Sequence, residues 1–309
     1  MQALVKYHGL RNWKLRLPYH DSISVNTTCM KTEASITDTK KGGVYVQGVR
    51  SESANQRLSA VLQGLAPTRK VASFRIDSRN VPAGKAKGIG YSSSAGAALT
   101  LLCHGLFVGG TPEMKQLSRS ARLFAASASR SLVGGFSRLY AGRTDEETYA
   151  ERFADGGDMD LRMVIVPLPS KVKTEDAHKE VLTSPFFEAR IKSAQRRCDE
   201  MERAIRGNDL ESLGVLTERD TLELHSITMT GESRMIIMTE DSIRIINKVR
   251  QLRGEGVEAY FSMQTGPSVF INTSEKHEKR VLAEMTRLGY KAHLSKVGGE
   301  ARLVRSTKG

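Results

Sequence analysis

The stretch GIGYSSSAG, Gly88 to Gly96, constrains this chain more than any other, because nine residues with glycine or serine at six positions separate an extended segment from the apolar run AALTLLCHGLF. At a strand-to-helix junction such residues let the backbone approach a ligand closely. The first N–H groups of the helix and the serine hydroxyls can then face an anion. The pattern therefore predicts a phosphate cradle at a helix N-terminus; it also fits a serine-capped flexible turn. It has neither the lysine of a P-loop nor the glycine spacing of a dinucleotide fold.

Around this junction the patterning is mixed α and β. Ile23 to Val49 reads as short alternating runs rich in Val, Ile and Thr, broken at Lys40-Lys41-Gly42-Gly43, and predicts antiparallel strands. Helical spacing covers Ser53 to Gly64, the apolar run after the glycines, and Met114 to Ser131, which ends at Gly134-Gly135. Val71 to Ile76 and Met163 to Pro167 read as strands. The second half repeats the grammar, with helices over Glu188 to Arg206, Leu210 to Leu224 and Glu240 to Arg253, and strands AYFSM and SVFINT around a Gly266-Pro267 turn. This predicts an α+β protein of two lobes, residues 1–165 and 166–309, with no internal repeat.

A chain of 309 residues with a net charge of +13 attracts anions, and charge alone does not choose among nucleic acid, membrane and phosphorylated metabolite. Aromatics are only 6% of the chain and the basic residues are interspersed with acids, so neither the stacking platform nor the basic tail of a nucleic-acid binder is present. No membrane partner is expected either, since the most apolar stretch, Ala95 to Gly110, is too short to span a bilayer. Cys29, Cys103 and Cys198 are an odd number and too far apart for a zinc or redox motif, which predicts a reducing, cytoplasmic setting and no bound transition metal.

A glycine-serine loop and six further segments, in order along the chain, resemble one family. NVPAGKAKGIGYSSSAGAA is similar to the phosphate loop of the GHMP kinase superfamily in its diphosphomevalonate decarboxylase branch. Lys6-Tyr7-His8-Gly9-Leu10-Arg11-Asn12, followed by Leu17-Pro18 and DSISV, resembles that branch's KYWGKRD-like opening, with a first strand that looks short. QRLSAVL around Arg57, SASRSLVGG around Arg130, LTSP at Leu182 to Pro185, LTERDTLELH ending at His225, and QTGPSV at Gln264 to Val269 follow in order.

The resemblance implies a two-lobed GHMP fold, with an N-terminal lobe like ribosomal S5 domain 2 and a ferredoxin-like C-terminal lobe. It also implies a small phosphorylated mevalonate as substrate and a homodimer. By the same resemblance Arg130 binds the substrate carboxylate, a role that suits a planar guanidinium. Lys6 is the active-site lysine, Tyr7 its neighbour and Arg57 a phosphate ligand. Gly90, Ser92, Ser93 and Ser94 form the loop, and Ser127 and Ser184 meet phosphate oxygens. His225, on a helix five residues after Asp220, reads as a packed structural residue rather than as a catalyst.

Three positions depart from the pattern. Gln264 stands where the ATP-dependent decarboxylases carry the aspartate that serves the substrate hydroxyl; Leu10 replaces a lysine and Ala125 a serine. An amide can orient a group but cannot take its proton. The expectation is an ATP-independent decarboxylase, closest in character to the archaeal mevalonate 3,5-bisphosphate decarboxylases, which releases isopentenyl phosphate, carbon dioxide and phosphate. The alternatives are an ATP- and Mg²⁺-dependent diphosphomevalonate decarboxylase, a mevalonate 3-kinase, and a non-catalytic phosphate-binding homologue.

Overall fold

A computed structural model describes residues 1–39, 42–82, 86 and 88–304. The residues Ala83 to Lys85 and Lys87 of the NVPAGKAKG segment, and Lys40 and Lys41 of the expected turn, lie outside the described residues.

Strands β1 (Gln2–Val5), β4 (Ser22–Val25), β9 (Phe136–Leu139) and β10 (Ala150–Ala154) form an antiparallel sheet in that order, and the short β2 (Leu10–Asn12) and β3 (Leu17–Pro18) pair antiparallel between β1 and β4 in the chain. A second sheet has the order β5 (Lys31–Asp38), β8 (Phe74–Val81), β6 (Gly43–Val46) and β7 (Val49–Arg50). The strands expected between Ile23 and Val49 thus divide between two sheets; β5, β6 and β7 alternate in direction as expected, but β5 and β6 are not neighbours. β8 inserts between β5 and β6, and β6 runs parallel to it, Gly43 opposite Arg75. Local alternation could not show this, because the separating strand comes some 30 residues later in the chain. Residues Val71 to Ser73, expected at the start of that strand, form a 3-10 turn instead.

Helices α1 (Glu52–Leu65), α2 (Tyr91–Phe107), α3 (Met114–Phe124) and α4 (Ala128–Val133) cover the second sheet with an apolar core that includes Leu58, Leu62, Ile76, Leu99, Phe124 and Leu132. Ser51 caps α1, its side chain accepting the Ala54 N–H. The single helix expected over Met114 to Ser131 is broken, because Ala125 adopts extended dihedrals. Ala and Ser carry no breaking signal, so the break comes from packing. Gly96 of α2 lets α4 approach: a Cβ there would meet the Ala128 Cβ at 2.7 Å.

In the second half, β12 (Tyr260–Met263), β13 (Val269–Thr273), β11 (Arg162–Val166) and β14 (His293–Lys296) make an antiparallel sheet. β11 belongs wholly to this sheet, pairing with β13 and β14, so a division at residue 165 cuts a strand. Helices α6 (Phe187–Arg206) and α7 (Leu210–Met229) pack on each other and on β1, and α7 also packs on β12. One core therefore runs through both lobes, from Leu4, Val5 and Ile23 through Cys198 and Met201 to Met163, Ile165 and Phe270. Helices α8 (Glu240–Gly254) and α9 (Glu278–Arg287) close the other face of the third sheet around Ile245, Val249, Phe261 and Val281. Among the described residues, no helix is long and apolar enough to cross a membrane.

Candidate active site

A cleft of about 720 Å³ opens where the glycine-serine loop, the chain after β1 and the turn after β12 meet. Its walls include Lys6, Tyr7, Arg16, Arg57, Gly88 to Ser93, Ser127, His178, Gln264 and Thr265. The loop reaches it through a left-handed turn. Gly90 has φ +84°, and a Cβ there would lie 2.5 Å from the Met1 carbonyl oxygen, so no larger residue fits. Helix α2 starts at the next residue and presents its N-terminus to the cleft. Ser93 Oγ donates to Ser127 Oγ at 2.5 Å, so the break between α3 and α4 brings two of the expected serines together. Ser94 turns away from the cleft wall to Thr32 Oγ1, also at 2.5 Å.

Lys6 follows β1 and is buried. Its backbone is fixed on both sides: its N–H donates to Asp220 Oδ2 at 2.9 Å, and its carbonyl accepts from Arg190 at 3.0 Å. Asp220 and Glu223 on α7 bind Arg190 and Arg197 on α6, a network that is buried except at Glu223 and that holds the lysine in register. No carboxylate within the described residues forms an ion pair with the ammonium group, which donates to the Tyr7 carbonyl at 3.3 Å. Burial, followed by the nearby Arg130 cation, lowers its pKa to about 7, with Asp220 pulling the other way.

Arg130 on α4 is wholly buried. It donates from Nε to Ser24 Oγ at 3.0 Å and from Nη1 to Ser22 Oγ, while Nη2 has no partner. Burial lowers its pKa to about 10. A buried guanidinium with one unmatched edge is unfavourable unless an anion completes it. It does not line the cleft. Its Cζ lies 5.5 Å from the ring centroid of Tyr7, which does, and the Lys6 ammonium sits 4.5 Å from that ring.

Gln264 occupies the position expected of a base, and its side-chain amide donates to the Met1 carbonyl at 3.3 Å and the Gly88 carbonyl at 3.2 Å. It therefore acts as a donor that ties the glycine loop to the turn after β12. Beside it, the Thr265 hydroxyl pairs with His8 Nε2 at 2.7 Å. His178, on the short helix α5 (Thr174–Glu180), accepts the Gly9 N–H at Nδ1, 3.0 Å away, and stacks on Tyr7 at 5.3 Å. With Nδ1 accepting, the neutral ring carries its proton on Nε2. Burial, then Lys6 and Arg16, holds its pKa well below the ordinary histidine value. Burial likewise lowers His225 to about 4, and it does not line the cleft.

Arg57 on α1 lines the cleft and bonds Glu175 at 2.8 Å and Ser92 Oγ at 3.3 Å. Ser184 is not brought to the cleft: its hydroxyl pairs with Thr230 Oγ1 at 2.7 Å and accepts the Phe186 N–H, building the turn before α6. Sequence reasoning gave no role to His8, Arg16, Glu175, His178 or Thr265. His8 and Thr265 lie within the family-like segments, whereas Glu175 and His178 lie on α5, a helix of only seven residues. Among the described residues, no group of three or more His, Cys, Asp or Glu side chains is gathered for a metal.

Comparison with known proteins gives the family. Residues 1–150 match the diphosphomevalonate decarboxylase-like N-terminal domain, and residues 170–300 the mevalonate 5-diphosphate decarboxylase C-terminal domain. A phosphomevalonate decarboxylase of Haloferax volcanii is 34% identical over 98% of this chain and 95% of its own length. The chain belongs to the diphosphomevalonate decarboxylase family. Within this family of mevalonate-pathway decarboxylases, a mevalonate 3,5-bisphosphate decarboxylase of Thermoplasma acidophilum is 30% identical over 60% of this chain and 46% of its own length. The solved mevalonate diphosphate decarboxylase of Staphylococcus aureus superposes with a TM-score of 0.86 at 25% identity, covering 96% of this chain and 92% of that one. A mevalonate-3-kinase of T. acidophilum, at 20% identity and a TM-score of 0.80, shares the fold, over 96% of this chain and 94% of that one. The cleft of this family member holds a glutamine where the family resemblance places an aspartate.

Proposed function

We propose that this decarboxylase acts on mevalonate 3,5-bisphosphate and releases isopentenyl phosphate, carbon dioxide and inorganic phosphate without a nucleotide. The observation that carries the proposal is Gln264, whose amide donates to two main-chain carbonyls at the place where hydroxyl phosphorylation calls for a proton acceptor. A substrate already phosphorylated at the 3-oxygen needs no such acceptor. The bond from the carboxyl carbon to C2 breaks, its electron pair forms the C2–C3 double bond, and the 3-phosphate leaves with the C3–O pair. Atoms and charge balance without a base.

The residues suit those needs. Arg130, buried behind Tyr7 with Nη2 unmatched, would pair with a substrate carboxylate once that group is admitted past the ring, and the α2 N-terminus with Ser92 and Ser93 would stabilise the leaving phosphate. Lys6, with its pKa lowered to about 7, is poised to be charged beside a dianion and to give that dianion a proton.

A second reading, an ATP-dependent decarboxylase of mevalonate 5-phosphate, is favoured by the near full-length H. volcanii match. In it the same loop would hold the nucleotide phosphates. Both readings place a single phosphate at the 5-position. Purified protein given mevalonate 5-phosphate or the 3,5-bisphosphate, each with and without ATP and Mg²⁺, separates them. Product from the bisphosphate in all conditions supports the first reading. Product only from the monophosphate with ATP establishes the second.

A further inference from the structure

Two guanidinium groups at the rim of the cleft share one carboxylate. Arg57 Nη2 lies 2.8 Å from Glu175 Oε1, and Arg16 Nη2 lies 3.4 Å from the same oxygen. Arg16 also donates from Nε to the Leu123 carbonyl at 3.0 Å. All three charged side chains line the cleft, and both arginines are largely covered while Glu175 is about half exposed. As a cationic pair in the cleft wall they can meet the terminal phosphate of a phosphorylated substrate, with one of their two positive charges already matched. Leu10, which also lines the cleft, puts an apolar side chain where the resembling motif has a lysine. Both features reduce positive charge along the cleft wall.

We propose that Glu175 sets a preference for one terminal phosphate over two, by holding Arg16 and Arg57 half-neutralised at the mouth of the cleft. A phosphate monoester carries about two negative charges at neutral pH and a diphosphate ester about three. The second phosphate must compete with Glu175 for the arginine pair and is repelled by it. This deepens, and rests on, the reading of the substrate as a 5-monophosphate.

Binding of isopentenyl phosphate and isopentenyl diphosphate to the purified protein, measured by calorimetry, tests the inference without turnover. Wild type is expected to bind the monophosphate more tightly. Glu175→Gln and Glu175→Ala, both at a partly exposed helix position, are expected to tighten diphosphate binding at least tenfold and monophosphate binding less than threefold. Equal gains for the two ligands, no gain, or a gain in the alanine variant alone would overturn the role of Glu175. A wild-type preference for the diphosphate would instead strike at the 5-monophosphate reading, whatever the variants do.

Discussion

Replacing Gln264 by aspartate asks opposite things of the two catalytic schemes. In the folded protein the amide donates two hydrogen bonds, to Met1 and Gly88. A carboxylate can donate neither, and at about 1 kcal/mol each their loss destabilises the fold by about 2 kcal/mol. A 3-phosphate bound in this cleft would then face the new charge. At a separation of about 4 Å and an effective dielectric near 20, the repulsion is about 4 kcal/mol per pair of unit charges. That exceeds the hydrogen-bond term and corresponds to roughly a thousandfold loss in kcat/KM. The assay is nucleotide-free carbon dioxide release from mevalonate 3,5-bisphosphate, with thermal unfolding run alongside to confirm a folded variant. A folded Gln264→Asp enzyme as fast as wild type, or one that gains ATP-dependent activity on the 5-phosphate, refutes the reasoning.

Other side chains give independent checks. Arg130→Ala is expected to lower turnover by at least a hundredfold with the fold intact, and Arg130→Lys to recover little, since an ammonium cannot reproduce the paired geometry; near-normal steady-state rates would remove the carboxylate role. Lys6→Met should abolish activity yet stabilise the fold. Between about pH 7 and the ordinary lysine value the unfolded chain holds a proton that the folded protein lacks, so wild type gains stability as pH rises through that window. The advantage of the methionine variant, up to about 5 kcal/mol at pH 7, should therefore shrink toward pH 10 in denaturant titrations. Wild-type kcat/KM should in turn fall above about pH 7 as Lys6 loses its charge, and a profile flat to pH 9 would count against it. Asp220→Asn leaves Arg190 and Arg197 incompletely paired in a buried site and should cost about 3 kcal/mol in chemical denaturation.

The parts of this site written in local chemistry were legible in the sequence. The Gly90 turn needs a residue without a side chain, and the apolar run behind it needs a helix, so the turn into a helix could be placed from composition and spacing. Lys6, Arg57 and Gln264 were reached through the family resemblance, and the structure brings them to one cleft. What was hidden depends on contacts distant in sequence. The extended Ala125 interrupts a segment of good helix formers because α4 must pack against Gly96. β6 runs parallel to β8 because β8 arrives later and inserts. Arg130 was named from its motif, but its place outside the cleft wall, 5.5 Å from the Tyr7 ring, follows only from tertiary packing. Ser184 shares a motif with phosphate-binding serines, yet Thr230, from the end of α7, engages its hydroxyl.

The most direct test of the central claim is the phosphorus balance of a single turnover. Mevalonate 3,5-bisphosphate mixed with excess enzyme, free of nucleotide, should give one equivalent each of isopentenyl phosphate and inorganic phosphate by phosphorus NMR, with one of carbon dioxide. Unchanged bisphosphate under those conditions, together with ADP formed in proportion to product from mevalonate 5-phosphate and ATP, would contradict it.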